Sequence, residues 1–327
     1  MQKKISVIIG AYNAGPFIRR CIDSIIPQRD FSLDDIEIVL CNDGSTDDTL
    51  DIMNEYLELY PNVVKVDSHK NMKPAKTKNR GINKSTGKYL VFLDADDWLE
   101  KDYCAKFYHY IEKYDVDVVF GGYKRISEDG KLLKTGSPPL YDYAKYMFVV
   151  STMRIHRRSF IIKNDIFFTE NAYGEDILFT VKQLAARANF LPIVYNGYNY
   201  LYNTGSITNT TQKGLDEANI KTAINLVEQI TKIGRPINKQ SEFKYYLVRT
   251  VVFHLLYAGK HSSKRQFMNA YKQLFKILQK HVPEVDKIGY VFYSPKGENF
   301  NVRVIIASVL LFRRLGMMPL FAKTYCR

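Results

Sequence analysis

No apolar run in this 327-residue chain approaches the roughly 20 residues needed to span a bilayer. The longest uncharged apolar stretch of the C-terminal part, Val304–Phe312, falls far short, and Ile5–Ile9 is too short for a signal peptide. The expected location is therefore cytoplasmic, free or peripheral on the inner face of the cell membrane. Cysteine is equally scarce. Cys21, Cys41, Cys104 and Cys326 are scattered without a Cys-x-x-Cys pair, so neither a zinc site nor a disulfide framework is expected. There is no internal repeat and no low-complexity tract. Acidic residues are lacking in the last third: residues 215–327 carry 19 Lys+Arg against 7 Asp+Glu, whereas residues 1–214 carry 28 against 27. That asymmetry points to an anionic partner for the last third. Nucleic acid is not expected, because no recognition module is present there.

What is present suits a globular protein, since 46% of residues are hydrophobic and can build a large core. Over the first 120 residues, short β-branched runs alternate with helix-periodic segments, the mark of βαβ units and a mostly parallel sheet. Strands are expected at Ile5–Ile9, Ile36–Cys41, Val63–Val66, Tyr89–Leu93 and Val116–Phe120, and helices after Pro16, after Asp47 and over 74–85. Residues 121–150 read as an irregular connection, 175–188 as a helix and 193–200 as a strand. From residue 215 the pattern is helical throughout, near 215–233, 241–258, 264–281 and 301–314. The expected organisation is an α/β domain over 1–214 and a basic helical region over 215–327.

In an open sheet of this kind, ligands bind outside the carboxyl ends of the strands. The polar segments lie there. Tyr89–Leu93 ends in Asp94-Ala95-Asp96-Asp97, three carboxylates within four positions. Like charges so close are unfavourable unless a cation or hydrogen-bond donors compensate. Residues two apart on extended chain face one side, so Asp94 and Asp96 can address one ligand. Hard oxygen ligands suit Mg²⁺ or Mn²⁺, which completes its shell with water and phosphate oxygens. Asp97 reads as a helix cap. A second turn, Asn42-Asp43-Gly44-Ser45-Thr46-Asp47, places Asp43 where it could accept from a nucleobase N–H, although it is also ordinary turn chemistry. Four cations in Lys73–Arg80 open a helix whose dipole disfavours them, which suggests an anionic ligand such as a diphosphate. Glu175-Asp176 begins another helix. Either carboxylate could act as a general base, and acidic residues also serve simply as helix caps there.

Together, Ser6-Val7-Ile8-Ile9 through Asn13, Asn42-Asp43-Gly44-Ser45-Thr46-Asp47, Lys78-Asn79-Arg80-Gly81-Ile82 and Leu93-Asp94-Ala95-Asp96-Asp97 resemble the family 2 glycosyltransferases of the GT-A fold. The resemblance is close over residues 4–115. It resumes at His156–Phe160 and Gly174–Ile177, and more weakly at Gly205-Ser206-Ile207. It implies an inverting transfer from a UDP-sugar to a glycan or lipid-linked glycan hydroxyl, in polysaccharide synthesis of the bacterial cell-surface type. It implies that Asp43 contacts uracil, with Ala11, Tyr12, Asn13 and Asn71 around the base. It further implies that Asp94 contacts the ribose or the metal, with Ala95 in the nucleotide-sugar site beside it, that Asp96 coordinates the metal, and that Asp176 is the base beside Glu175. Two departures stand out. Lys78 occupies the position of the family's usual Arg, so Arg80 is expected to share the phosphate role, and Lys73 stands near a common Gly.

Two other readings compete. A sugar nucleotidyltransferase would carry a glycine-rich loop after strand one, and Gly10–Gly15 is poor in glycine. A non-catalytic nucleotide-sugar-binding module would have no use for Glu175-Asp176. A processive synthase is disfavoured, because the only tryptophan, Trp98, is not in a Gln-x-x-Arg-Trp segment. The basic helices are expected to meet an anionic membrane or the acceptor, with homo-oligomerisation as the rival.

Overall fold

The computed structural model describes residues 2–170, 174–202 and 214–326. The chain splits into two compact units, one mainly of residues 1–140, 148–171 and 175–203, the other mainly of residues 204–327 with Tyr141–Met147. The boundary expected near residue 214 and the segment Gly205-Ser206-Ile207 fall at or within 203–213, which lies outside the described residues.

The first unit opens with β1 (Ile5–Ala11), α1 (Gly15–Asp23), β2 (Ile36–Asn42), α2 (Thr49–Leu59), β3 (Val64–Ser68), α3 (Lys73–Lys84), β4 (Tyr89–Asp94), β5 (Trp98–Leu99) and α4 (Tyr103–Tyr114). These elements follow the expected βαβ rhythm. β6 (Val118–Phe120), β7 (Tyr123–Ser127), β8 (Leu132–Gly136) and β9 (Arg154–Arg157) come next, and β10 (Phe190–Pro192) and β11 (Tyr198–Tyr202) close the unit. Seven strands form the main sheet in the order β10-β6-β9-β4-β1-β2-β3. All neighbours are parallel except β9, which runs against β4 and β6.

β1 and β2 are buried almost throughout, as parallel strands covered on both faces must be. Strand alternation sorts their side chains into two cores. Ile5, Val7 and Ile9 pack with Ile18, Ile22 and Phe107 on one face, while Ile8, Leu90 and Phe92 pack with Ile82, Ile161, Phe168 and Phe179 on the other. On the second face α3 approaches β1 so closely that a Cβ on Gly81 would lie 2.2 Å from Ile8 Cγ2. Glycine is what allows the helix to sit there.

The order β2-β1-β4 makes β1 the switch point, with β2 on one side and β4 on the other. Gly10 pairs with Cys41 across one edge and Asp94 across the other. The crevice at these carboxyl ends is where ligands of open α/β sheets bind.

A second sheet, β5-β11-β7-β8, includes a β7–β8 hairpin within the stretch expected to be irregular. The two hairpin strands are half-buried or exposed, so they carry little apolar alternation to read. Of the strand expected over 193–200, only 198–200 is strand, as the start of β11; 193–197 is a connection, and β10 precedes it.

In the other unit the helices Glu217–Ile233, Ser241–Gly259, Lys264–His281 and Phe300–Arg314 match the expected segments within two residues, and Met318–Tyr325 adds one more. Asp216 accepts the Asn219 N–H at 2.7 Å to cap the first, and Ser263 and Gln266 form a capping box on the third. Tyr143 and Tyr146 from the short helix Ala144–Met147 and its flank pack on Tyr245 and Tyr246. Among the described residues no helix is long and apolar enough to cross a membrane.

Candidate active site

The loops that follow β1 and β2 are laced together. Asn13, at φ 50°, donates its N–H to Ser45 Oγ at 3.0 Å, and its side-chain oxygen accepts the Thr46 N–H at 2.8 Å. Asp47 accepts from Gly15 N at 3.0 Å and from both the N–H and the hydroxyl of Thr49, the first residue of α2. These bonds hold Asp47 below the usual carboxylate range against the opposing effect of burial. Tyr12 stands on this rim, 53% exposed, while Ala11 is buried beneath it.

Asp43 is buried and already engaged. Its two oxygens accept the backbone N–H groups of Met72 and Lys73 at 2.7 and 3.1 Å, and His69 Nδ1 lies 3.4 Å away. Asp43 thus fixes the entry to α3 and keeps Asn71, exposed, beside it. A carboxylate offers about four acceptor sites, so capacity for a further donor remains. Lys73 adopts φ 74°, the left-handed region that favours glycine, which accounts for the strain of a lysine at this position.

The second half of the site gathers around Lys78. Its Nζ lies 3.3 Å from Asp176 Oδ1 and 5.1 Å from the Phe168 ring centroid, with 12% of the side chain exposed. Burial works to lower Lys78, but Asp176, Asp94 and Glu175 together hold it above its ordinary value. One cation therefore faces three carboxylates, drawn from α3, the end of β4 and the helix Glu175–Ala185. Asp176 Oδ1 accepts a second bond, from Ser151 Oγ at 2.6 Å. Ser151 is fully buried, and its carbonyl is 3.2 Å from Nε2 of His156, which is buried too. Both donors converge on Oδ1, and among the described residues none donates to Oδ2.

Burial pushes the Asp94 carboxyl up to about 6, with Lys78 pulling it down and Asp176, Asp96 and Glu175 adding to the rise. Burial also raises Asp96, opposed by a backbone bond and Arg20. Glu175 rises through burial and then Asp176. Ala95 is buried between the two outer carboxylates. Asp97 is not the expected helix cap, because Asp102 precedes α4. Instead Asp97 is 1% exposed and accepts from Tyr198 Oη at 2.6 Å and Leu201 N at 2.8 Å, joining the turn to β11. Tyr198 Oη in turn accepts the Asp94 N–H at 3.3 Å.

Arg80 is not brought to the site with Lys78. Two positions along a helix point nearly opposite ways, and Arg80 makes a two-bond fork to Asp67 at 2.5 and 2.8 Å. Between them, Asn79 clamps Phe168 through both its backbone groups, at 2.9 and 2.7 Å. Ser151, Tyr198 and Phe168 escape a reading of the sequence because each acts across a large separation, with no local motif to mark it. Among the described residues no group of three or more His, Cys, Asp or Glu side chains is placed to hold a metal ion.

The chain is similar to known proteins. The pattern of Glycosyl transferase family 2 matches residues 6–172. The uncharacterized glycosyltransferase YibD of Escherichia coli is 31% identical, with 71% of each chain covered. The putative glycosyltransferase EpsH of Bacillus subtilis is 28% identical over 76% of this chain and 74% of its own. Other relatives are much longer: the match covers 29% of a poly(ribitol-phosphate) β-glucosyltransferase of Bacillus spizizenii, at 31% identity over 54% of this chain. Among solved structures, Staphylococcus aureus TarS 1-349 in complex with UDP-GlcNAc superimposes with a TM-score of 0.59 at 19% identity, over 86% of this chain and 91% of that one. The mannosyltransferase PcManGT of Pyrobaculum calidifontis, in complex with GDP-Man and Mn²⁺, gives 0.56 at 15% identity, over 96% and 88%. At these identities the likeness establishes the GT-A-type fold.

Proposed function

The chain belongs to glycosyl transferase family 2, and from that premise we propose that it moves a sugar, with inversion, from a UDP-sugar to a hydroxyl of a glycan or lipid-linked glycan in cell-surface polysaccharide synthesis. The observation that carries this reading is Asp176, held through Oδ1 by Ser151 and Lys78, with no donor to Oδ2 among the described residues. Such a fixed carboxylate suits a general base. Asp176 Oδ2 takes the proton of the acceptor hydroxyl as that oxygen bonds to the anomeric carbon. The bond from this carbon to the diphosphate breaks, and its electron pair leaves on UDP. Lys78 stands where it can offset that charge. The loops carrying Tyr12, Asn13, Asp43 and Asn71 would receive the uracil, and Asp94 and Ala95 the ribose. The UDP-GlcNAc of the TarS complex and the poly(ribitol-phosphate) relatives support a UDP donor and a cell-surface acceptor.

The donor set also fits a divalent cation. Asp94 and Asp96 are both raised by burial, which Lys78 and Arg20 offset only in part. Two carboxylates are enough for Mg²⁺ or Mn²⁺, since phosphate oxygens and water fill the remaining positions. When bound, the ion would neutralise diphosphate charge. Asp96→Ala should abolish transfer and UDP-sugar hydrolysis while the circular dichroism stays native. Full activity of that variant in chelator would sink this mechanism.

A peripheral membrane role rests on the helix Phe300–Arg314. Phe300, Val304, Leu311 and Leu315 are exposed along one stripe, while Ile306, Val309 and Leu310 face inward. Arg303 and Arg314 flank the stripe, which suits a helix lying on an anionic surface. Leu311→Glu with Leu315→Glu should weaken sedimentation with phosphatidylglycerol vesicles about tenfold. Unchanged sedimentation would refute membrane contact through this face.

A further inference from the structure

The helices Glu217–Ile233 and Lys264–His281 end at a common groove of about 890 Å³. Lys232, Arg235, Lys276, Lys280 and His281 line it, with Glu228 as its acidic member. Among the described residues none of these four Lys and Arg side chains forms an ion pair. Among the described residues Glu228 is the one acid that lines the groove; Glu242, in the first turn of Ser241–Gly259, accepts from Ser241 Oγ at 3.0 Å, Asp142 holds Lys145 at 2.7 Å, and the others are engaged or distant. Glu284 holds Lys244 at 2.7 Å, Glu298 lies 3.2 Å from Arg249, and Asp286 holds Arg313 at 2.8 Å. Asp216 and Glu217 sit at the start of the first helix, about 24 Å away at 1.5 Å per residue.

Basic residues at helix C-termini are ordinarily explained by the macrodipole, so the magnitudes decide. Two helix ends supply about half a negative charge each, and Glu228 supplies one more. Against four positive charges this leaves a surplus of about two. The His281 imidazole registers that field: burial lowers it first, then Lys280, with Arg235 adding to the fall against Glu228. The groove is concave and its floor holds half-buried Ile224 and Ile277, with Asn238 and Gln273 as neutral hydrogen-bonding groups. That mixture suits a chain of alternating phosphate and hydroxyl groups better than a flat bilayer. The exposed apolar stripe lies on another helix.

We propose that this groove binds a soluble phosphodiester-linked polyol or glycan, its phosphates on Lys232, Arg235, Lys276 and Lys280. If the transferase reading holds, such a site would grip an acceptor chain away from its reacting hydroxyl; binding itself does not rest on that reading.

The test is titration of the full chain with a soluble glycerol-phosphate polymer over a range of salt concentrations. The parent protein should bind, with affinity falling as salt rises. The triple variant Lys232→Gln, Lys276→Gln, Lys280→Gln should bind at least tenfold more weakly, and its salt slope should fall by about two. Glu228→Gln should bind about threefold more tightly, since it removes the opposing charge. Native far-ultraviolet circular dichroism with an unchanged thermal midpoint would show that the helices carrying these substitutions are folded, and unchanged UDP-sugar hydrolysis that the other unit is intact. No polymer binding by the parent, or an unchanged slope in the triple variant, overturns the proposal. So does loss of phosphatidylglycerol-vesicle binding with polymer binding intact, which would make the groove a lipid headgroup site. Loss of hydrolysis in Asp96→Ala is read separately and bears only on the transferase mechanism.

Discussion

Lys78→Met is the sharpest perturbation of the candidate site, because it removes one cation and leaves three carboxylates behind. Lys78 Nζ is 3.3 Å from Asp176 and only 12% of its side chain is exposed, whereas the Asp176 side chain is 27% exposed. Removing one member of a buried pair costs about 3–5 kcal/mol. Partial access to water screens the charges left behind, which brings the expected loss to about 2–3 kcal/mol. The loss should depend on pH in a definite direction. Asp94, already near 6, and Glu175 are raised above their unfolded values, and Lys78 opposes both rises. Without Lys78 they rise further, so the folded variant binds more protons than its unfolded chain at neutral pH. A raised carboxylate costs stability above its folded value, and that cost fades as pH falls through it. The deficit should therefore be full at about pH 8 and shrink by roughly half at about pH 5.5. Urea unfolding followed by fluorescence is the assay. Trp98 is the only tryptophan and lies in the first unit, with the Arg20 guanidinium 3.9 Å from its ring centre. A deficit below about 1 kcal/mol at the higher pH, or one that grows toward acid, would refute the electrostatic account.

Two further outcomes can be measured. Ser151→Ala should lower kcat about 10- to 100-fold, an amount typical of a misplaced base, with the donor KM unchanged and partial recovery in Ser151→Thr; equal loss in kcat and native fluorescence would mean a packing role only. His156 is held neutral by burial, then by Arg154, down to about 3. Its proton is excluded from the fold but not from the unfolded chain, so stability present above about 6.5 is lost as pH falls toward 3, up to about 4 kcal/mol. His156→Gln should flatten that acid limb in unfolding experiments, and an unaltered limb would assign it to other groups.

The parts of the fold that sequence makes plain are those where one local rule acts alone. β1, β2 and β4 are continuous β-branched or aromatic runs buried on both faces. The long helices of the second unit carry their apolar residues at helical spacing and are capped by local side chains. The β7–β8 hairpin stays hidden because it is mostly surface. The aspartate turn and Lys78 are legible as charge that needs a partner. Arg80 misleads because composition records charge but not helical phase, and its fork to Asp67 points away from Lys78. Asp97 misleads because a carboxylate after a strand resembles a cap until the distant Tyr198 hydroxyl is placed against it.

That Asp97–Tyr198 contact carries a lesson for protein engineering. The turn bearing Asp94 and Asp96 and the strand β11 are 101 residues apart in sequence, yet they share one buried hydrogen bond and the Leu201 N–H. Chimeras that exchange segments between relatives would split this joint if the crossover fell anywhere between residues 97 and 198. A transplant that carries both partners keeps the aspartate turn anchored. One that carries a single partner leaves a buried carboxylate or hydroxyl without its mate, and the graft would fail for reasons unrelated to substrate choice.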